Sequence, residues 1–315
     1  MSSNPISERA LASTCTRCKT SQSIYYRPYS GERLCASCFR ETLIERVKKT
    51  INKYKMFQHD SRIAVGVSGG KDSLTLLRVL NEIEAYRPNA EIIAISVDEG
   101  VRGYRDEALA IAEKFCHQLN VEMKVVQFKQ LFGETMDEIA DRDRDLGTCS
   151  YCGVLRRRAL NEGATSVDAD RIATGHNLDD MAQSVIMNVL RGDLNRIESF
   201  NPGGLELSGF IRRVKPLCEV PEKETTLLAY IFGIDFQSLP CPYSAEALRT
   251  DVRRFLNQME DRRPGSKSIV YNTGIKLMYR SNERNTIGKC LICGSPTSGE
   301  ICRACELTGR TITKE

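Results

Sequence analysis

A chain of 315 residues is long enough for two domains, or for one large domain with appendages, and too long to be a peptide without its own core. Hydrophobic residues at 41% and charged residues at 27% exclude a disordered or fibrous chain. No apolar run approaches the ~20 residues that cross a bilayer, and the start lacks a secretory stretch, so a cytosolic protein is expected. The net charge of +4 conceals a polarity. Residues 1–60 carry 11 basic and 5 acidic groups and residues 246–315 carry 13 and 8, whereas the centre carries 21 and 28. Basic ends around an acidic centre suggest that the ends attract a polyanion, although solvated faces with no partner fit the charge equally well.

The first predicted element, residues 1–40, is a cysteine module. Thirteen cysteines are many for a reducing compartment, and their odd number argues against complete disulfide pairing. Cys15 and Cys18, then Cys35 and Cys38, form two CxxC pairs whose spacing suits tetrahedral zinc. Tyr25, Tyr26 and Tyr29 beside Arg27 either stack on nucleic-acid bases or pack around the metal, and packing is preferred. Residues 41–60 follow as a basic linker helix, with Leu43, Val47, Ile51 and Tyr54 at helical spacing and the lysines largely off that stripe.

From Arg62 the period changes. RIAVGV reads as a strand, SGG as a tight turn and DSLTLLRVLNEIEAY as a helix. EIIAISV, VEMKVVQF and RIATGH repeat the strand signal, with helices over Tyr104–Leu119 and LDDMAQSVIMNVL between or after them. Strands alternating with helices predict an α/β domain over residues 61–245, a doubly wound parallel sheet covered on both faces. Residues 246–285 read as a helical RNA-binding extension and 286–315 as a second cysteine module, in which Cys290, Cys293, Cys302 and Cys305 have zinc-knuckle spacing. Each short module would draw much of its folding energy from a closed four-thiolate zinc site. Both are expected to assist RNA binding, and their removal to spare the binding of whatever ligand the central domain takes.

Within SGGKDS, Ser68, Gly69 and Gly70 let the backbone turn sharply while Lys71, Asp72 and Ser73 open a helix whose free amides favour phosphate. The pattern is neither a Walker loop nor a dinucleotide fingerprint. Asp179 and Asp180 in GHNLDD are hard carboxylates that suit magnesium, or simply acidic residues at a helix N-terminus, and His176 beside them is a candidate cap or packing residue. Cys149 and Cys152 form a lone CxxC that needs partners from elsewhere, with Cys241 and Cys218 available, or else does chemistry itself. Cys116, near Ala112 and Leu119, reads as core.

VSGGKDSL resembles the PP-loop of ATP pyrophosphatases, which split ATP between its first and second phosphates and adenylate a substrate. The resemblance extends to VDEG, which places Val97 and Asp98 at the adenosine, and to GHNLDD, which places Gly175, Asp179 and Asp180 at the nucleotide. With CxxCGxxRR in mid-chain, a later CPY and a cysteine module at each end, the whole chain is similar to the tRNA 2-thiouridine synthetases, comprising the cytoplasmic wobble-uridine thiolation proteins and their TtuA and TtcA relatives. The resemblance implies ATP and Mg2+, two Zn2+, and a 4Fe-4S cluster on Cys149, Cys152 and Cys241 with one iron free. It also implies tRNA as substrate and a homodimer. The sulfur donor is a ubiquitin-like thiocarboxylate, a persulfide or sulfide. Arg156 stands where T-loop enzymes of this family carry a functional lysine, and with Arg157 and Arg158 it resembles the wobble-uridine branch.

The chemistry expected is adenylation of the uridine C2 oxygen followed by displacement of AMP by sulfur, with Asp72 and Asp180 on magnesium and Cys149, Cys152 and Cys241 carrying the transfer. Persulfide chemistry on the same cysteines without a cluster is an alternative, helped by arginines that would acidify the thiols. T-loop uridine or cytidine thiolation, and a non-catalytic zinc-ribbon scaffold, are the rival functions.

Overall fold

In the computed structural model, which describes residues 13–84, 90–142, 147–193, 196, 200–243, 247–279 and 288–309, the first cysteine pairs bracket an antiparallel hairpin. Its strands are β1 (Tyr25–Arg27) and β2 (Glu32–Leu34). Helix α1 (Ala36–Lys53) begins inside this module, with Cys35 as its N-cap and Cys38 in its first turn. It therefore starts before the boundary expected at residue 41, because the second cysteine pair supplies its first turn. Leu43, Val47 and Ile51 form the buried stripe and join the main core, so α1 is part of the packing and not a free linker.

The central sheet is built by β3 (Arg62–Gly66), α2 (Lys71–Glu84), β4 (Glu91–Asp98), α3 (Arg105–Gln118) and β5 (Glu122–Gln127). After the short α4 (Phe128–Phe132) and α5 (Met136–Asp141), it continues through α6 (Thr148–Thr165), β6 (Arg171–Thr174), α7 (Leu178–Leu190), β7 (Arg212–Val214) and α8 (Glu222–Ile231). The five strands are all parallel, in the order β5-β4-β3-β6-β7. Ile63 and Val65 of β3 point to one face, against Leu74 and Leu77 of α2, Phe115 of α3 and Leu228 of α8. Ala64, Ile93, Ile95 and Ile172 point to the other, against Ala164 and Leu160 of α6. The predicted burial of the sheet on both faces is thus what the side chains do.

Strand order reverses beside β3: the chain runs outward to β5 and then returns to β6 on the opposite side of β3. Open α/β sheets bind ligands where such a reversal leaves a crevice at the carboxyl ends of the strands. Here that crevice lies between the loops after β3 and β6. Behind it, α9 (Ala247–Arg262) and α10 (Ser266–Met278) pack on α7 through Val252, Leu256 and Val270. The last four cysteines are held on β8 (Gly288–Lys289), β9 (Pro296–Thr297) and α11 (Arg303–Leu307). Leu307 packs on Tyr151 and Leu155 of α6, and Arg142 Nη2 donates to its carbonyl at 2.7 Å. Among the described residues, no helix is long and apolar enough to cross a membrane.

Candidate active site

Two glycines shape the crevice. Gly69 has φ +83°, and an added Cβ would lie 2.4 Å from the carbonyl oxygen of Ala108, so no side chain fits there. A Cβ on Gly175 would lie 2.9 Å from the Ser73 nitrogen, so its absence lets the loop after β6 close against the first turn of α2. Ser73 Oγ accepts from the Ser68 amide at 3.1 Å and donates to the Gly70 carbonyl at 2.9 Å, fixing the loop between them. From the far end of the domain, the Gln237 amide donates to the Gly69 carbonyl at 3.0 Å.

The crevice opens into a cavity of about 570 Å³. Of the residues expected to contact nucleotide or magnesium, Ser68, Asp72, Ser73, Val97, Gly175 and Asp180 line it. Arg156 lines it too. Asp72 is tightly held: Oδ1 accepts from Thr225 Oγ1 at 2.6 Å and Asn177 Nδ2 at 3.2 Å, and Oδ2 from Lys71 Nζ at 2.7 Å. Gly69, Gly70, Lys71, Asp98 and Asp179 lie outside the lining. Lys71 Nζ also donates to Glu222 Oε1 at 2.8 Å; burial lowers its pKa, but Asp72 and Glu222 outweigh that and hold it above the ordinary lysine value. Asp98 accepts from the Gly100 amide at 2.9 Å and so shapes the turn after β4. Asp179 is buried, accepting from the Glu222 amide and from the buried Lys267 ammonium.

Asp180 and Asn177 form a capping box at the start of α7. Burial first, and then the neighbouring Asp72, push the Asp180 carboxyl up to about 6, against the pull of the Asn177 amide and of Arg249. Arg249 and Arg253 of α9 line the same cavity, so the C-terminal extension supplies cations to this cleft. The sequence reading missed them because arginines along an amphipathic helix look like a solvated face. It also left Glu99 and Arg105 unassigned, although VDEG and GYRD place an acid and a base just after β4.

Cys149 and Cys152 sit in the first turns of α6, with Arg156 one turn later and its Nη2 3.3 Å from Cys152 Sγ. Cys149 Sγ donates to the Tyr243 carbonyl at 2.9 Å, which ties the pair to the segment carrying Cys241. Cys241 is near enough to Cys152 and Tyr104 to push both of their pKa values up, and all three cysteines are half-buried. Burial pushes the Cys152 thiol up to about 11, outweighing the downward pull of Arg156. Cys218 does not join the trio: it is fully buried beside the Tyr271 hydroxyl, 3.4 Å away. Three half-buried thiols, with Cys218 excluded among the described residues, fit a cluster that keeps one open iron. The two terminal sets are different. Cys15, Cys18, Cys35 and Cys38, and likewise Cys290, Cys293, Cys302 and Cys305, each bring four thiols within 4.8 Å of one another, the closed arrangement that could hold a metal ion. Cys116 is core, 1% exposed.

The PP-loop domain family matches residues 40–260, and the family described as 2-thiouridine synthetase TtuA, N-terminal LIM domain, matches residues 14–40. A probable sulfurtransferase of Methanocaldococcus jannaschii is 38% identical over 90% of this chain and 84% of its own length. Cytoplasmic tRNA 2-thiolation protein 1 of Xenopus laevis is 38% identical over 93% of this chain and 86% of its own. This chain belongs to the PP-loop tRNA 2-thiolation protein family. Among solved structures, the U34-tRNA thiolase NcsA from Methanococcus maripaludis with its [4Fe-4S] cluster is 35% identical, with a TM-score of 0.85 over 96% of this chain and 97% of that one.

In this member of the thiolation family a second cavity, of about 890 Å³, lies on the other side of α6 against the C-terminal cysteine module. Cys149 lines it together with Arg157, Arg191, Arg213 and Arg303, and Asp193 is its one acidic lining residue among those described. Burial, and then the neighbouring Arg157, hold the Arg213 guanidinium down to about 10. His176 belongs to the nucleotide cleft, and desolvation, then Lys215, Arg249, Arg213 and Arg157, push its imidazole down to about 3. Its Nδ1 lies 2.9 Å from Thr174 Oγ1, which donates to the Val214 carbonyl at 3.4 Å. The ring is therefore neutral, with Nδ1 as the donor and Nε2 as an acceptor.

Of the three tyrosines of the N-terminal module, Tyr25 packs edge-on against Phe39, and Tyr29 donates to buried Glu224. Tyr25 thus packs within the module as preferred from the sequence, whereas Tyr29 is 39% exposed and ties the module to α8 instead of packing around the metal.

Proposed function

We propose that the protein thiolates tRNA at C2 of uridine, at the wobble position, in the cytoplasm. One observation carries this reading: Arg156 lines the nucleotide cleft and its Nη2 reaches Cys152 Sγ at 3.3 Å, so one side chain links the cleft to the cysteine pair. The wobble position is supported by the name of the U34-tRNA thiolase and by Arg156 standing in place of lysine. A scaffold would need neither the cleft nor the open trio.

In this reading the triphosphate lies on the glycine loop and the first turn of α2, where free amides and the helix dipole meet it. Arg249 and Arg253 add positive charge from α9. Asp72 and Asp180 would hold magnesium, which neutralises charge building on the phosphates. The uridine oxygen attacks the α-phosphorus and pyrophosphate leaves; sulfur then replaces AMP at C2. Cys149, Cys152 and Cys241 would hold the 4Fe-4S cluster, which when bound offers an iron without a cysteine ligand for sulfide. Sulfide would arrive free, by hydrolysis of a thiocarboxylate to a carboxylate, or from a persulfide whose outer sulfur is reduced by a second thiol as the two thiols form a disulfide. Arg156 cannot take a proton at neutral pH, so it orients anions and does not act as a base. The terminal four-cysteine sets would hold zinc, and a homodimer completes the proposal.

The test is mass spectrometry of tRNA after incubation with ATP, a sulfide source and anaerobically reconstituted protein. Appearance of 2-thiouridine at the wobble position, with stoichiometric AMP, is expected; 2-thiocytidine or T-loop thiouridine would reassign the substrate, and no AMP with any tRNA would restore the scaffold.

Two further results are expected. Affinity for magnesium–ATP should rise as pH increases from 5 to 7, because the Asp180 carboxyl, shifted up to about 6, ionises in that window. Burial disfavours its charge, so the unliganded fold gains from this group only while it is protonated and loses that gain as pH rises through 6; the bound metal offsets the loss. Titration calorimetry in pH-matched buffers, with Asp180→Asn as the flat control, checks it. Secondly, replacing Arg157 and Arg213 by alanine should weaken tRNA binding and lower the salt slope by about 2, while ATP affinity stays near wild type. Gel shifts at several salt concentrations read both numbers.

A further inference from the structure

Glu99 follows β4 at the floor of the cleft and is 4% exposed. Its carboxylate lies between two guanidiniums. Oε1 accepts from Arg156 Nε at 2.6 Å, and Oε2 lies 3.0 Å from Arg105 Nε. Each arginine reaches onward. Arg105 Nη1 donates to the Ser68 carbonyl in the glycine loop at 2.7 Å, and Nη2 donates to Ser96 Oγ at 2.7 Å, whose hydroxyl in turn donates to the Val67 carbonyl at 2.7 Å. On the other side, Arg156 Nη2 lies 3.3 Å from Cys152 Sγ. The contacts run without a gap from the glycine loop to the cysteine trio.

The two halves of this line differ in rigidity. The Glu99 and Arg105 side chains are each 5% exposed, and the Glu99 carbonyl accepts from the Met136 amide, so this half is locked into the fold. The Arg156 side chain is 48% exposed and has long rotatable bonds. Ordering such a side chain costs up to about 2 kcal/mol, and the short charge-assisted bond to Glu99 is what offsets it. The charges do not cancel: two guanidiniums share one carboxylate, which leaves one positive charge to be met by an anion at either end. One end is the phosphate cleft and the other is a cluster ligand.

We propose that Glu99 is a positioning residue that ties the glycine loop to the cysteine trio through Arg105 and Arg156, so that a nucleotide in the cleft is felt at the iron–sulfur centre. This rests on the function proposed above. Net charge and hydrogen bonds to the sulfur ligands set the potential of such a centre, and Arg156 is the group on this line that contacts both sites. A Glu99 that merely balanced Arg105 would stabilise the fold without linking the two.

The experiment uses full-length, cluster-loaded protein. The reduction potential of the cluster is measured by EPR-monitored titration with and without a saturating non-hydrolysable ATP analogue, whose affinity is measured separately. In wild type the analogue should shift the potential. In Glu99→Gln the shift should vanish while the analogue still binds within about tenfold of wild type. A full-sized shift in Glu99→Gln overturns the proposal, and complete loss of analogue binding also overturns it by making Glu99 a binding residue. If Glu99→Gln does not fold or load, because Arg105 is left buried and unpaired, the double variant Glu99→Gln/Arg105→Gln removes that charge and is read by the same criteria. Wild type that loads a cluster and thiolates tRNA, yet keeps one potential with and without analogue, sinks this proposal alone; wild type without cluster or thiolation sinks the functional reading instead.

Discussion

Cys241→Ser should strip iron and acid-labile sulfide from anaerobically purified protein, leave metal at both terminal cysteine sets, and lower tRNA thiolation by more than about 100-fold. Loss of an outer-shell partner typically costs 10–100-fold at a metal site, and loss of a ligand costs more. Cys149 and Cys152 share the start of α6, and the bond from Cys149 Sγ to the Tyr243 carbonyl ties them to the segment that carries Cys241. With Cys241 gone, two thiolates cannot hold four irons. Cys218→Ser is the companion measurement. It should keep its iron, because Cys218 is sealed in the core, where burial pushes its thiol up to about 12. Iron and zinc counts per chain decide the matter: a Cys241→Ser protein that retains about four irons, or a Cys218→Ser protein that loses them, would require a different ligand set.

Glu224→Gln should lower the free energy of unfolding by about 3–5 kcal/mol, the usual result of removing one partner from a buried ion pair. Glu224 on α8 is 0% exposed, and Arg27 of the N-terminal module, 2% exposed, grips it through Nε at 2.9 Å and Nη2 at 3.2 Å. Arg46 Nη1 reaches the same carboxylate at 3.1 Å. The two neighbouring contacts of α8 lead to the nucleotide loop: Glu222 to Lys71, and Thr225 to Asp72. Removal of the N-terminal module is therefore expected to loosen the ATP site, contrary to the sequence-based expectation that ATP binding would be spared. Thermal melts and ATP-analogue binding on Glu224→Gln test this, with Thr225→Val as a variant that leaves the buried pair intact. A Glu224→Gln protein as stable as wild type would show that the clamp carries little energy.

The strand, glycine turn and helix around Ser68 were legible because every signal for them is local. The cysteine spacings were legible for the same reason, and so was α7, whose apolar period fills the whole helix from Leu178 to Leu190. What stayed hidden depends on direction in space. In VDEG, Val97 and Glu99 line the cleft while Asp98 between them turns to the strand's other side, and a strand end gives no sign of which parity faces the ligand. Asp179 and Asp180 are adjacent in sequence, yet one meets the cleft and the other meets Lys267, which is 88 residues away along the chain. β7 has only three residues, two of them arginine, and shows no alternation to read.

The nucleotide cradle is assembled from widely separated parts of the polypeptide. Ser68 to Ser73 come early, Asn177 contacts Asp72 from a later strand's loop, Thr225 from α8, and Gln237 closes on Gly69 just before Cys241. During synthesis from the N-terminus, ATP cannot be held in its final cradle until about three-quarters of the chain has left the ribosome, and Cys241, the third thiol proposed for the cluster, follows within a few residues. Contacts this distant in sequence form late and slowly. Nucleotide binding and cluster loading thus become competent almost together, which spares the growing chain a half-built site that consumes ATP without sulfur to transfer.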